Sequence, residues 1–286
     1  MSIRTVSVLG AGLMGRGIAY VAALGGYETR LMDAAKPQLE KGLADIDAIL
    51  EKGVATGKVE DADAIAARRR LTGVNSVEEA ARDADLVIEA VPEKIDLKVE
   101  IFAELDRVAP AHAILGSNTS SLSITEMAAA TRRAAQVVGL HFFNPVHRMK
   151  LLEIVRALET SDETIDACRA AGERMGKECV VVRESPGFVT SRINAMIGNE
   201  AFYMLQEGVA SAEDIDKALK LGLNHPMGPF ELVDLVGLDT RLSILRFLHR
   251  ALGEKFRPCP LIEQYVAAGR LGRKSGRGVY DYASKG

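Results

Sequence analysis

Short, nearly unbroken runs of valine, isoleucine and leucine alternate with amphipathic stretches along the first part of the chain. That is the pattern of parallel strands covered on both faces and joined by helices. It predicts strands over residues 5–10, 28–33, 86–91, 114–117, 137–142, 151–155 and 179–182. The stretch 37–70 keeps a helical period for longer than one crossover needs, so a helical hairpin is expected after the second strand. After Ser185-Pro186-Gly187 the strand-like runs stop, and helical periodicity continues through 188–208, 212–221 and 229–252. The expected fold is α/β: a doubly wound, mostly parallel sheet over 1–185 with an inserted hairpin at about 37–70, then an all-helical domain over 186–286. In the first helix of that domain, Ile193, Met196, Ile197, Ala201, Met204 and Leu205 spread apolar groups around much of the circumference. So wide a face predicts burial on a second subunit, a homodimer.

A length of 286 residues suits two domains, and 48% hydrophobic with 26% charged residues is ordinary globular composition. A net charge of -3 provides no electrostatic attraction for nucleic acid or an anionic membrane. No apolar run reaches spanning length, and the N-terminus enters a strand without a charged leader or signal region, so no membrane association and a cytoplasmic location are expected. Cys168, Cys179 and Cys259 lack metal-ligand spacing and read as reduced packing residues. His147, His225 and His249 have no carboxylate or histidine at ligand spacing, and no metal site is expected.

Candidate chemistry begins at Gly10-Ala11-Gly12-Leu13-Met14-Gly15, which follows the first strand and opens a helix. This matches the G-x-G-x-x-G dinucleotide fingerprint in its proper context and makes the first domain Rossmann-type. Gly10 makes the tight turn, Gly12 leaves room for a pyrophosphate, and Gly15 lets helix pack on strand. Leu13 and Met14 place the helix N-terminus, with its unpaired N–H groups, against the anion. Asp33 ends the second strand, where its carboxylate accepts from ribose hydroxyls and repels a 2'-phosphate; the expected cofactor is NAD rather than NADP. Glu93 and Lys98 follow another strand at the same edge, within reach of ribose or nicotinamide.

His141 closes the strand 137–142, and Glu153 lies inside the apolar run Leu151-Leu152-Glu153-Ile154-Val155. A carboxylate in such a run needs a partner, and an imidazole is a suitable one. Held by Glu153 at one ring nitrogen, His141 offers the other to a hydroxyl proton, which is what alcohol oxidation requires.

At these residues the sequence resembles the L-3-hydroxyacyl-CoA dehydrogenase family, particularly its bacterial 3-hydroxybutyryl-CoA dehydrogenases. The resemblance covers nearly the whole chain through GAGLMG at Gly10, EAVPE at Glu89, SNTSSL at Ser117, HFFNP at His141 with the following LLEIV, SPGFV at Ser185, HPMGPFEL at His225 and GRKSGRGVYDY at Gly272. It implies that Ser120 binds the substrate oxygen, His141 is the base and Glu153 its orienting acid. It further implies that Asn118, Asn144, Glu93, Lys98 and Lys274 contact the cofactor. A helical C-terminal domain that dimerises, an active site between the domains and an acyl-CoA substrate complete what it implies. One position departs: where the family carries asparagine after SPGFV, this chain has Ser191, and Asn194 one turn later is the alternative amide. Lys52, with Lys41, Lys58 and Arg68-Arg69-Arg70, lies in or beside the hairpin and is available to CoA phosphates. Two other readings remain open here: a dehydrogenase of free 3-hydroxy acids or sugar acids such as L-gulonate, and a non-catalytic NAD-binding structural relative.

Overall fold

The structure is a computed structural model that describes residues 3–282. It divides into two compact units, one ending at Glu184 and the other beginning at Ser185.

In the first unit the apolar runs form β1 (Thr5–Leu9), β2 (Glu28–Met32), β3 (Leu71–Val74), β4 (Leu86–Glu89), β5 (Ile114–Ser117), β6 (Val137–Phe142), β7 (Leu151–Arg156) and β8 (Glu178–Arg183). They make one sheet in the order β3-β2-β1-β4-β5-β6-β7-β8. Every neighbouring pair is parallel except β6 with β7. Strand order reverses between β1 and β4, and ligands of doubly wound sheets bind outside the carboxyl ends at such a point. Because β7 runs back against β6, its first residues share the edge reached by the last residues of β6.

The connecting helices are α1 (Leu13–Leu24), α2 (Lys36–Ala55), α3 (Asp61–Arg70), α4 (Val77–Ala81), α5 (Ile95–Val108), α6 (Ile124–Ala129) and α7 (Asp162–Arg174). The central strands β4, β5 and β6 are buried along their whole length, as strands covered on both faces must be. The expected hairpin is α2 and α3. Leu39, Ile46 and Leu50 of α2 bury their side chains in the same core as Val8, Ile18 and Leu31.

Three features differ from the sequence expectation. β3 was not anticipated: it is a four-residue edge strand whose middle residues, Thr72 and Gly73, are exposed, so it carries no apolar run. The stretch 229–252 is not one helix but α10 (Pro229–Val236) and α11 (Leu238–Leu252). Gly237 separates them with φ 104°, a backbone conformation that favours glycine. Strand ends are also shorter at the ligand edge, since Gly10, Asp33, Ala90 and Val91 lie beyond β1, β2 and β4.

The second unit holds α8 (Thr190–Gln206), α9 (Ala212–Gly222), α10, α11 and α12 (Pro260–Ala267). Phe202, Phe230, Leu245, Leu248 and Phe256 fill its core. The GRKSGRGVYDY segment closes this unit around a buried carboxylate: Asp234 accepts from Val279 N–H at 2.8 Å, Tyr280 N–H at 2.9 Å and the Tyr282 hydroxyl at 2.9 Å. The wide apolar face of α8 splits in two. Ala195, Ala201 and Phe202 are buried, whereas Val189 just before the helix, Ile193 and Met196 are exposed.

At the glycine loop, a Cβ on Gly15 would fall 1.7 Å from the carbonyl oxygen of Gly10. Gly15→Ala therefore forces β1 and α1 apart and is expected to cost about 3 kcal/mol, since overpacking against unyielding backbone lies at the upper end of such substitutions. Urea denaturation checks it; a loss below about 1 kcal/mol would mean that the loop yields.

Candidate active site

The glycine loop is braced before any ligand arrives. Gly10 N–H donates to Met32 O at 2.7 Å, and Gly10 has φ 98°. Asp33 accepts from Ala11 N–H at 2.9 Å through Oδ2 and from Ala35 N–H at 2.9 Å through Oδ1. Each oxygen keeps acceptor capacity, so Asp33 can fix the loop and still take a ribose hydroxyl. A Cβ at Gly12 would meet nothing within 4 Å, which is open space beside the first turn of α1. No side chain caps that helix, leaving its first N–H groups for an anion. The residues present fit a dinucleotide.

At the far side of the switch point, β6 and β7 place His141 opposite Glu153. His141 Nδ1 and Glu153 Oε2 are 2.7 Å apart, with Glu153 only 1% exposed. A carboxylate only accepts, so Nδ1 is the donor in this bond. Phe143 packs on the imidazole at 4.4 Å between ring centres.

Between these two sets lies the loop after β5. Asn118 Oδ1 accepts from Phe142 N–H at 3.0 Å, and Asn118 N–H donates to Glu89 O at 2.7 Å. Asn118 therefore ties the loop to the end of β6 beside His141. Ser120 is half-buried, and its N–H donates to Glu93 Oε1 at 3.1 Å. Asn144 is exposed just beyond β6. Glu93 also accepts from the Thr119 hydroxyl. Lys98, read from sequence among the cofactor contacts, is buried, with Nζ 2.6 Å from Glu89 Oε1.

In the second unit, Ser191 and Asn194 lie in the first turns of α8, both half-buried. Lys274, also read as a cofactor contact, pairs there with Asp239 at 2.6 Å.

A cavity of about 930 Å³ opens in the first unit beside α1 and α2. Arg16, Lys52, Lys58, His147, Arg148, Arg174 and Lys177 line it, and Asp45 is the one acid among the described residues that does. Asp45 is already bonded to Arg16. Burial, then the charges of Arg148 and Lys177, hold the His147 pKa below its ordinary value. Lys41 and Arg68 do not line this cavity, and Arg68 is paired with Asp47 and Glu51. His147 has no partner at ligand spacing in the sequence; the groups around it are Tyr20 of α1, Lys52 of α2, Lys58 beyond that helix and Lys177 just before β8. Glu89 was passed over for a similar reason: its role depends on α5 and β5. Among the described residues, no group of His, Cys, Asp or Glu could hold a metal ion.

Residues 5–185 match the NAD binding domain of 3-hydroxyacyl-CoA dehydrogenase, and residues 187–282 match its C-terminal domain. The chain belongs to the 3-hydroxyacyl-CoA dehydrogenase family. It is 49% identical to a probable 3-hydroxybutyryl-CoA dehydrogenase of Bacillus subtilis, over 100% of this chain and 99% of that protein. It is 46% identical to the 3-hydroxybutyryl-CoA dehydrogenase of Bradyrhizobium diazoefficiens, over 98% of this chain and 96% of that protein. The crystal structure of (S)-3-hydroxybutyryl-CoA dehydrogenase from Ralstonia eutropha superposes with a TM-score of 0.95 at 45% identity, covering 98% of this chain and 99% of that one. Members of this family are NAD-dependent oxidoreductases.

The His141–Glu153 pair is also structural in this family member, because it satisfies a carboxylate inside a covered strand. His141→Ala removes that bond and is expected to cost about 2 kcal/mol, as lost bonds to buried charged groups do. Chemical denaturation of His141→Ala beside Glu153→Gln/His141→Ala tests it. The double variant, with no buried carboxylate left, should recover part of the loss.

Proposed function

We propose that this chain interconverts an (S)-3-hydroxyacyl-CoA, of the 3-hydroxybutyryl-CoA class, and its 3-ketoacyl-CoA. The observation that carries this is the 2.7 Å contact of His141 Nδ1 with Glu153, which orients the imidazole near the end of β6; we assign Nε2 as the proton acceptor. In the oxidative direction His141 Nε2 takes the proton of the 3-hydroxyl, and Glu153 stabilises the resulting imidazolium. The Ser120 hydroxyl donates to the same oxygen as it becomes a carbonyl and holds it in line with the base. NAD, when bound, supplies the hydride acceptor; its pyrophosphate belongs on the glycine loop, its ribose on Asp33, and Asn144 beside the nicotinamide. In the reductive direction His141 returns the proton. Ser191 takes the position of the family asparagine with a shorter hydrogen-bonding reach, and Asn194 is the second candidate for that role.

The basic cavity favours a CoA thioester over a free hydroxy acid. Seven cationic or protonatable groups around one already paired carboxylate suit a polyphosphate, and Lys52 is the residue we assign to it. The first unit, with its glycine loop, is the NAD domain, and the second serves the substrate and dimerisation. The exposed row of Val189, Ile193 and Met196 supports a homodimer. A cytoplasmic location is part of this proposal; no helix among the described residues is long and apolar enough to cross a membrane.

Acetoacetyl-CoA should be reduced with NADH at least about tenfold more efficiently than with NADPH, a difference of about 1.4 kcal/mol. Equal efficiency would remove Asp33 from cofactor selection. His141→Gln should lower kcat by about 100-fold to 10,000-fold, the usual contribution of a positioned acid–base group, with unchanged NADH affinity. Near-normal turnover would exclude His141 as the base. Lys52→Glu should raise KM for acetoacetyl-CoA by about tenfold but leave the N-acetylcysteamine thioester, which lacks the phosphates, unaffected. An equal effect on both would exclude a phosphate contact. Sedimentation equilibrium should return twice the chain mass.

A further inference from the structure

Ser120 sits on a loop after β5, and that loop is held from a buried carboxylate. Glu89, the last residue of β4, has no exposed side-chain surface. A carboxylate there needs donors for both oxygens. Oε1 accepts from Lys98 Nζ at 2.6 Å and from Val91 N–H at 2.7 Å, and Oε2 accepts from the Ser117 hydroxyl at 2.6 Å. Lys98, one turn into α5, is 1% exposed. Its ammonium has three hydrogens, and three acceptors surround it: Glu89, Val91 O at 3.4 Å and Glu93 Oε2 at 3.3 Å. It therefore has no hydrogen to offer a ligand without breaking one of these contacts, and its influence passes through Glu93.

From Glu89 two arms converge on one loop. Along the first, Lys98 holds Glu93 by Oε2, and Glu93 Oε1 accepts from the Thr119 hydroxyl and from Ser120 N–H. Along the second, Ser117 Oγ accepts from Thr119 N–H at 3.3 Å. Thr119 Oγ1 in turn accepts from Leu122 N–H at 2.9 Å, closing the turn. The backbone on both sides of Ser120 is thus referred to one buried carboxylate at the end of the neighbouring strand.

We propose that Glu89 is a positioning residue for the reaction: through Lys98 and Glu93, and through Ser117, it fixes the loop that presents Ser120 beside His141. This rests on Ser120 as the partner of the substrate oxygen. Glu89 touches neither substrate nor cofactor in this scheme. Its effect is geometric, and a misplacement of about 1 Å in such a group is enough to lower turnover about 100-fold.

The test compares Glu89→Gln with the double variant Glu89→Gln/Lys98→Met, measuring kcat and both KM values with acetoacetyl-CoA and NADH, alongside the melting temperature. Glu89→Gln should lower kcat by about 100-fold while KM for NADH stays within about threefold. In the double variant the buried ammonium is also gone, so the melting temperature should recover while kcat stays low. A kcat that rises in step with the melting temperature would show that Glu89 matters only for stability and would overturn the proposal, as would Glu89→Gln turning over within about threefold of the unsubstituted enzyme. Should Glu89→Gln not yield folded protein, Ser117→Ala cuts only the second arm and is read by the same separation of kcat from stability. Ser120→Ala in the same assay distinguishes the two layers. Full turnover there removes Ser120 from the proposed function, whereas a slow Ser120→Ala beside a normal Glu89→Gln overturns the positioning role alone.

Discussion

A carboxylate in a strand covered on both faces must be met by donors from its neighbours, and two such carboxylates, Glu89 and Glu153, organise the edge of this sheet. For Glu153 the donor comes from register. β7 is the strand that breaks the parallel run of its neighbours, and its antiparallel pairing sets Glu153 directly across from His141. A slip of one residue would turn Glu153 to the opposite face, into apolar packing with no donor. The requirement that holds the strand in register is therefore the same contact that fixes the imidazole tautomer. Stability and chemistry draw on one interaction, so the pair cannot be retuned for one without the other.

Glu89 solves the same problem differently. Its strand is parallel on both sides, and parallel neighbours did not bring an imidazole. The donors are a lysine from the helix that follows and a serine from β5. Each of those groups leads on to the loop bearing Ser120, so charge burial at β4 becomes loop rigidity beyond β5. Across the switch point the glycine loop shows the complementary arrangement. Asp33 is not sealed off: it accepts two backbone N–H groups and keeps lone pairs for a ligand. The sheet edge thus carries sealed carboxylates that hold side chains in place and a partly open one that can bind.

What could be read from sequence was whatever is written in contiguous residues. The strand runs, the glycine fingerprint followed by Asp33, and the conspicuous Glu153 inside Leu151-Leu152-Glu153-Ile154-Val155 all announce themselves locally. What could not be read depends on partners distant along the chain. β3 has too few buried residues to show a pattern and exists because β2 offers it an edge. The apolar period across 229–252 runs unbroken through Gly237, and only that residue's backbone shows that two helices meet there. Lys98 and Lys274 read from sequence as cofactor contacts, and sequence does not reveal that Glu89 and Asp239 lie within bonding distance of them.

The same reasoning gives the basic cavity its meaning. Lys177 is buried, its ammonium donates to the carbonyls of Val146 and Met149, and burial lowers its pKa. His147 is lowered too, by burial first and by Arg148, Lys177, Lys58 and Lys52 after it. A histidine whose folded pKa lies below its ordinary 6.5 binds fewer protons folded than unfolded, so it weakens the fold as pH falls through that ordinary value. These cations repel one another with a single acid among them, and that acid is already bonded to Arg16. Like charges gathered in this way cost stability, and a polyanion in the cavity would offset that cost. Binding there should couple to stability most strongly at acid pH, where His147 adds its own charge to the cluster.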